Sequence, residues 1–195
     1  MSEQQTTRDR LIATGLRALM SKGYDGVGIG PILTEAGVPK GSFYHYFASK
    51  DDFVIAILDA YDAHYRAIRE QIFADGSLDP LSRLDAYFGV LEQELIDSFP
   101  AGGCLYGILS QSLSGRSPGL RDRLAQVFRS WQQGLAELII EARAAGQLPD
   151  AVDPQAAAAL AVDLYEGALV RGKAEGSLTP FIAFRARLPR LLRTA

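Results

Sequence analysis

"VPKGSFYHYF", residues 38–47, places four Phe or Tyr residues, one proline and one glycine within ten positions. Pro39 suits the first position of a helix, where its fixed φ is already helical and its missing N–H is not needed. On a helix that begins there, Phe43 and Phe47 lie one turn apart on the same face. Another short apolar stretch ends just before Gly37, so the two helices must cross steeply. The sequence therefore predicts a helix-turn-helix motif.

Helical periodicity extends over the rest of the chain, and no stretch alternates at period two for long enough to indicate a sheet. We therefore predict an all-α fold. Thr6 or Thr7 caps the first helix, and Ser49 and Asp52 form a capping pair that opens the helix after the motif. Further helices are predicted over residues 81–99, 104–113, 120–145, 154–175 and 180–192.

The predicted helix over residues 39–46 has a flank that differs from an ordinary core helix. The two phenylalanines anchor it, and the remaining positions carry groups that donate to phosphate oxygens or base edges. Those positions are Lys40, Ser42, Tyr44, His45 and Tyr46, with Gly41 leaving room for a close approach of the backbone. Lys50 lies in the first turn of the next helix, where a cation is disfavoured unless an anion such as phosphate is near. The alternative is an amphipathic helix with solvent-reaching tyrosines.

Charge is distributed unevenly along the chain. The net charge is −3, which by itself speaks against a nucleic-acid partner. Residues 1–50 nevertheless hold six Lys or Arg against four acidic residues, a net charge of +2. This asymmetry is compatible with a nucleic-acid-binding N-terminal part, and equally with a solvated surface of chance composition.

The stretch "LIATGLRALMSKGYDGVGIGPILTEAGVPKGSFYHYFASKDDF" resembles the DNA-binding domain of the TetR family of bacterial repressors, closely over residues 8–53. The resemblance implies that the second helix of the motif enters the major groove. Lys40, Gly41, Ser42 and His45 would then lie near base edges, and Tyr44, Tyr46 and Lys50 on phosphates. The chain departs from the family pattern at Gly28 and Gly30, where capping and polar side chains are usual, so discrimination between sequences would rest on residues 39–46.

The resemblance also implies two domains. Residues 1–50 would form a three-helix helix-turn-helix DNA-binding domain, and residues 51–195 a helical effector-binding and dimerisation domain. Dimerisation through the last two helices would make a four-helix bundle between subunits, and a two-fold dimer implies a palindromic DNA operator. Small and apolar residues in both predicted helices are compatible with such a bundle.

The second half of the sequence is rich in aromatic side chains with polar tips. If several of them converge, they would line a pocket for a small organic effector. The alternative is core packing, since buried Tyr and Trp are normal when their polar atoms find partners. The candidates are Tyr61, Tyr65, Tyr87, Tyr106, Trp131 and Tyr165.

"AGGCLYGILSQSL", residues 101–113, contains the one cysteine of the chain, Cys104. With "VPKGSFYHYF", it resembles a TetR subgroup that includes an N-ethylmaleimide-reductase repressor and an acrylate-responsive repressor, whose effectors are electrophiles or small unsaturated acids. A thiol at a helix N-terminus is more acidic and more reactive, although Cys104 can equally be a small buried apolar residue. Arg171 and Lys173 could assist a carboxylate ligand or the thiolate, or they simply complete an exposed basic helix end.

Other classes of protein fit the sequence less well. An enzyme would have few candidates for acid–base or nucleophilic chemistry, since the chain has two histidines, His45 and His64, and one cysteine. We expect no metal and no cofactor. A helical interaction module would leave the basic and aromatic flank of residues 39–46 unexplained. The N-terminal residues contain no apolar signal stretch, and the longest apolar run stops at Asp163, so we expect a cytoplasmic protein without a membrane segment.

The function predicted from the sequence is that of a ligand-responsive repressor. It would bind a palindromic operator in double-stranded DNA as a homodimer, and a small organic effector would release it. The effector would act by moving the helix over residues 50–73, which changes the spacing of the two DNA-reading helices.

Overall fold

The computed structural model describes residues 6–98, 102–113 and 117–194 of the chain. Those residues contain no strand, which confirms the predicted all-α fold. The helices are α1 (Thr7–Lys22), α2 (Ile29–Glu35), α3 (Phe43–Tyr46), α4 (Lys50–Phe73), α5 (Pro80–Ser98), α6 (Leu105–Leu113), α7 (Pro118–Ala144), α8 (Pro154–Glu175) and α9 (Thr179–Leu191), with a 3-10 helix at Lys40–Ser42. The predicted end of α5, Phe99, and the first residue of the quoted cysteine stretch, Ala101, lie outside the described residues.

Local capping signals set several helix boundaries. Thr6 and Asp9 form a capping box at the start of α1, with the Thr6 hydroxyl oxygen accepting the Asp9 N–H at 3.2 Å. Ser49 accepts the Asp52 N–H at 3.0 Å, which confirms the predicted capping pair before α4. Gly37 follows α2 with a φ of +66°, a left-handed conformation that glycine adopts without strain. These residues are short-range signals, which is why the sequence predicted them.

The described residues form two compact units. The first comprises those of Met1–His64 and Cys104–Val127, and the second those of Tyr65–Gly103 and Phe128–Ala195. This division differs from the predicted domain boundary at residue 50, which stays a prediction. The reason is that α4 and α7 are long helices with a part in each unit, and that α6 packs against α1 in the first.

Helices α1 and α4 approach closely in the first unit at Gly15. A Cβ at this position would lie 2.5 Å from Cζ of Phe53 and 2.6 Å from Cδ1 of Ile57, both of which are buried. Glycine in a helix interior is unfavourable by about 1 kcal/mol relative to alanine, so close packing is the physical reason for it here. The core of the first unit is therefore sensitive to one added methyl group.

We expect Gly15→Ala to lower the free energy of unfolding by about 1–3 kcal/mol, because overpacking outweighs the gain in helix propensity. Urea denaturation followed by circular dichroism measures the change. Gly30→Ala is the matched control, since a Cβ on Gly30 of α2 would meet nothing within 4 Å. A Gly15→Ala protein as stable as the wild type would contradict the close packing of α1 on α4.

The second unit is built around aromatic rings contributed by α5, α7, α8 and α9. Tyr165 lies near the centre, 5.1 Å from Trp131 and 5.6 Å from Phe181 between ring centroids. Phe88 and Phe184 meet edge to face at 5.1 Å. Such edge-to-face pairs are each worth about 0.5–1.5 kcal/mol beyond the area that they bury.

Ion pairs also hold α9 against α5. Arg185 donates two hydrogen bonds of 2.9 Å to Asp85 and a third to Glu92. These bonds, with that to Asp85 first, outweigh partial burial and raise the pKa of Arg185 above its ordinary value. The outer surface of α9 is therefore presented in a fixed orientation within the second unit.

Helix α8 has a signal at each end. Asp153 accepts the Gln155 N–H at 2.9 Å before Pro154, and Gly176 ends the helix with a φ of +61°. Although α8 contains an alanine-rich stretch, none of the helices in the described ranges is both long enough and apolar enough to cross a membrane.

Candidate nucleic-acid interface

The recognition segment, residues 39–47, is less regular than the sequence predicts. Instead of one helix, a 3-10 turn at Lys40–Ser42 leads into the single turn of α3. The Ser42 N–H donates to the Pro39 carbonyl at 2.9 Å, and the Phe47 N–H to the Phe43 carbonyl at 3.0 Å. A helix this short gains little from its own hydrogen bonds, so its geometry follows from tertiary packing.

Two phenylalanines anchor the recognition segment, as the spacing predicts. Phe43 is fully buried and Phe47 is 4% exposed. Their ring centroids lie 5.4 and 4.8 Å from that of Phe53 on α4. The position of the segment therefore depends on apolar contacts with α4 and not on its own hydrogen bonds.

The predicted contact residues lie on the outside of this anchored segment. Tyr44 is 69% exposed, although its ring packs edge to face with that of Phe43, with 5.3 Å between the ring centroids. Ser42 is half-buried, and the other exposed members are Lys40, Gly41, His45 and Tyr46. The structure thus brings one cation, three side-chain hydroxyls and one imidazole to a single short surface. Their contacts with DNA stay a prediction.

Lys50 has partners within the chain. Its ammonium donates to the Tyr24 carbonyl at 2.8 Å and lies 4.1 Å from the Tyr24 ring centroid. The Tyr24 hydroxyl in turn donates to Asp51. Burial lowers the pKa of Lys50, and the charges of Asp25 and Asp51 oppose that shift. The printed geometry thus pairs the Lys50 ammonium with Tyr24, and the phosphate role of Lys50 stays a prediction.

Arg8, which sequence reasoning did not select, lies beside the recognition segment. It is exposed, and its guanidinium carbon lies 5.5 Å from the centroid of the Phe47 ring. No local pattern relates α1 to a residue so far along the chain, so the sequence alone gave no signal for Arg8.

In α2, the first helix of the motif, Gly28 is the N-cap residue and makes no side-chain hydrogen bond.

Three of the predicted effector residues meet in the first unit. Tyr61 and Tyr106 pack edge to face at 5.2 Å, and the Tyr61 hydroxyl accepts the Leu105 N–H at 3.4 Å. Cys104 is the residue before α6, is 5% exposed, and its carbonyl accepts the Ile108 N–H at 3.0 Å. The predicted position of the thiol at a helix N-terminus is therefore confirmed, and its reactivity stays a prediction.

A buried carboxylate lies next to these residues. Asp62 is 6% exposed and accepts hydrogen bonds from the Tyr106 hydroxyl at 3.1 Å and from Arg123 at 3.2 Å. Arg123 also donates to Asp59 at 2.6 Å. Burial lowers the pKa of Arg123, but the bonds to both aspartates outweigh it and raise that pKa. Sequence reasoning missed this network because Arg123 is distant in sequence from both aspartates.

The remaining aromatic candidates belong to the second unit. Trp131 and Tyr165 are members of its ring cluster, and Tyr87 packs 5.4 Å from Phe73. Tyr65 is half-buried on α4. The aromatic candidates are thus divided between the two units, and the burial of Tyr87, Trp131 and Tyr165 fits core packing.

Arg171 and Lys173 are both exposed on α8. Arg171 donates to Glu175 at 2.7 and 3.0 Å. This pairing favours the alternative interpretation, an exposed basic helix end. Arg171 also lines the α8–α9 groove, a surface depression of about 310 Å³ whose other lining residues include Gly167, Ala168 and Phe184.

Two family models match the sequence. "Bacterial regulatory proteins, tetR family" covers residues 11–57, and "Tetracyclin repressor-like, C-terminal domain" covers residues 80–188. The chain belongs to the TetR family of transcriptional regulators. The resemblance and the helix-turn-helix class are thereby confirmed, and TetR-family regulators bind DNA.

Curated TetR-family relatives match over most of the chain. The transcriptional regulator AcuR of Cereibacter sphaeroides is 41% identical over 174 residues, which are 89% of this chain and 80% of AcuR. The repressor DhaR of Mycobacterium sp. strain GP1 is 30% identical over 187 residues, 93% of this chain and 92% of DhaR. The repressor NemR of Escherichia coli K12 is 28% identical over 195 residues, 98% of this chain and 96% of NemR.

Solved TetR-family structures share the fold. The regulatory protein TetR from Rhodobacter sphaeroides superposes with a TM-score of 0.90 at 39% identity, covering 94% of this chain and 97% of that protein. The reduced form of E. coli NemR gives a TM-score of 0.79 at 29% identity, with 94% and 96% covered. Since these relatives are named as regulators of transcription, the prediction that the chain is not an enzyme is confirmed.

Proposed function

We propose that this TetR-family repressor binds a palindromic operator as a homodimer and is released by a small organic effector. The recognition segment supports this proposal most strongly. Its two buried phenylalanines hold a short exposed surface of hydrogen-bond donors in a fixed position. DNA-binding helices place such donors against base edges and phosphates. The fixed position matters because a protein discriminates between DNA sequences with side chains that are already correctly oriented when they enter the major groove.

We assign base contacts to Lys40, Ser42 and His45, with Gly41 allowing close approach. Tyr44 and Tyr46 would donate to phosphates on either side. Arg8 joins this set because its guanidinium lies beside Phe47 of the recognition segment. Lys50 acts mainly through Tyr24, by joining the turn after α1 to the start of α4.

Lys40→Ala and His45→Ala should each relax operator preference, by about 1–3 kcal/mol at the base pair that the side chain reads. Fluorescence anisotropy with the operator and a set of single-base variants measures the preference. Lys22→Ala, which removes an exposed lysine at the end of α1, is the charge-matched control. Unchanged preference in both variants would show that other residues read the bases.

Exposed apolar side chains on α8 and α9, together with the α8–α9 groove, support the dimer. Val170 on α8 and Ile182 on α9 are 49% and 50% exposed, which leaves large apolar side chains in contact with solvent. Gly167 and Ala168 permit close approach of another helix. A second copy related by a two-fold axis would cover both apolar helices with the same surface.

Helix α4 connects the effector candidates to the recognition segment within the first unit. It carries Tyr61 and Asp62, and its first turn packs Phe53 against Phe43 and Phe47. An effector that displaces Tyr106 or Cys104 therefore acts on the helix that positions the DNA contacts. Because two recognition segments must meet major grooves about 34–36 Å apart, a small displacement weakens binding.

Cys104→Ser should abolish release by an electrophile such as N-ethylmaleimide, because the variant has no other thiol. A preformed complex with labelled operator is titrated with N-ethylmaleimide, and anisotropy reports release. The control carries Cys104→Ser together with Ser110→Cys, which moves the thiol to an exposed position on α6. If N-ethylmaleimide released the Cys104→Ser protein from the operator at the same concentrations as the wild type, Cys104 would serve only in packing. If the thiol at position 110 restored release, the position of Cys104 would not matter.

A further inference from the structure

Arg69 is a buried cation in the second unit, on the C-terminal part of α4. It is only 6% exposed. Within the described ranges of the chain, its guanidinium makes no hydrogen bond and no ion pair. A buried charge is strongly unfavourable unless a group of opposite charge compensates it. Among the described residues, Arg69 therefore has no paired anion.

This side chain lines a groove between α4 and α7, which we call the α4–α7 groove. Its volume is about 540 Å³, and Arg66, Phe73, Gln133, Gly134 and Leu138 also line it. That size is typical of a site for a small organic molecule. Lining residues with charged, amide and apolar side chains would suit a ligand with one polar end and one apolar end.

Gly134 of α7 makes room for the guanidinium. A Cβ at this position would lie 2.8 Å from Nε of Arg69 and 3.4 Å from its Cδ. Glycine weakens a helix interior by about 1 kcal/mol relative to alanine. Packing against Arg69 is thus the physical reason for a glycine at this position in α7.

None of the acidic residues along the α4–α7 groove forms an ion pair or a hydrogen bond with Arg69 within the described residues. Glu141 accepts from Arg83 at 2.7 Å, and Glu137 accepts from the Gln133 side chain at 3.0 Å. Glu70, the next residue on α4, is exposed. These three carboxylates also disfavour a ligand with two negative charges, so a singly charged anion suits the groove better than phosphate.

We propose that the α4–α7 groove is a binding site for a small organic monocarboxylate, with Arg69 as the residue that binds the carboxylate. A guanidinium donates two parallel hydrogen bonds to a carboxylate, which matches both its charge and its planar shape. Phe73 and Leu138 would contact the apolar part of the ligand. The groove belongs to the second unit and Cys104 to the first, so this site is additional to the proposed electrophile sensor.

Isothermal titration calorimetry of the full chain without DNA tests the site. The probes are sodium benzoate and sodium propanoate, with benzamide as a neutral analogue and inorganic phosphate as a second anion. We expect benzoate or propanoate to bind more tightly than benzamide and phosphate. Arg69→Gln should weaken that binding about 10–100-fold, the range expected for lost charge-assisted hydrogen bonds. Arg129→Gln, an exposed arginine of α7 outside the groove, should bind as the wild type does.

Two further variants separate loss of the site from loss of the fold. Arg69→Met should raise the Tm of the ligand-free protein, because it removes an uncompensated buried charge, and should erase the rise in Tm that the carboxylate causes. Gly134→Ala should weaken binding, because its Cβ would displace the Arg69 side chain. Absence of carboxylate binding to the wild type, or equal binding to Arg69→Gln, would overturn the proposal. Operator affinity is measured separately, so failure here leaves the DNA-binding proposal standing.

Discussion

Phe43→Ala should abolish operator binding while the second unit stays folded. Phe43 is fully buried and contacts the rings of Phe47 and Phe53. Truncating a buried phenylalanine to alanine typically costs about 3–5 kcal/mol. Since α3 has four residues and no side-chain cap, its position depends on this buried ring together with that of Phe47. We expect operator affinity to fall by at least about 100-fold, which corresponds to a loss of roughly 3 kcal/mol.

Anisotropy with labelled operator measures this loss, and circular dichroism shows whether the other helices remain. Phe43→Leu is the matched control, since a swap that largely keeps apolar volume usually costs less than about 1.5 kcal/mol. We expect Phe43→Leu to retain most of the operator affinity. Wild-type binding by Phe43→Ala would show that the recognition segment does not depend on its buried anchor.

Gly167→Arg should make the protein monomeric, if the dimer forms as proposed, and lower operator affinity by at least about 100-fold, because linked half-site binding is lost. Gly167 is exposed in the α8–α9 groove, and a Cβ there would meet nothing within 4 Å in the subunit itself. Arginine also favours helix more than glycine does. The subunit can therefore fold with this substitution, whereas a partner helix would collide with the new side chain.

Sedimentation equilibrium measures the oligomeric state, and anisotropy measures the operator affinity of the same sample. Gly76→Arg is the matched control, because Gly76 lies in an exposed turn and its Cβ would likewise meet nothing within 4 Å. That control should remain a dimer with full affinity. A dimeric Gly167→Arg protein would place the interface elsewhere on the second unit.

The helices and the anchored motif could be predicted from the sequence because their signals are local. Pro39, the spacing of Phe43 and Phe47, and the capping pair of Ser49 and Asp52 all lie within a few residues of the feature that they determine. The regularity of the recognition segment could not be predicted in the same way. The segment packs through Phe43 against Phe53, a residue of the next helix, and no local pattern indicates that contact.

The environments of charged side chains were the least predictable part of the candidate sites. The partner of Lys50 is Tyr24, and that of Arg123 is Asp62, both distant in sequence. The sequence did not indicate that Arg69 is buried, because its burial depends on the approach of α7 to α4 at Gly134. Sequence patterns report which face of a helix is apolar, but they do not report which side chain of another helix meets it.

The affinity of the purified chain for duplex DNA tests directly whether the recognition segment reads a DNA sequence. A labelled duplex from the region upstream of its own gene, carrying an inverted repeat, is compared with a duplex of scrambled sequence at physiological salt. We expect the repeat to bind with a Kd of about 10⁻⁸ M or tighter, and the scrambled duplex to bind at least about 1,000-fold more weakly. Equal affinity for both duplexes, or no binding of either, would contradict a sequence-reading surface on the recognition segment.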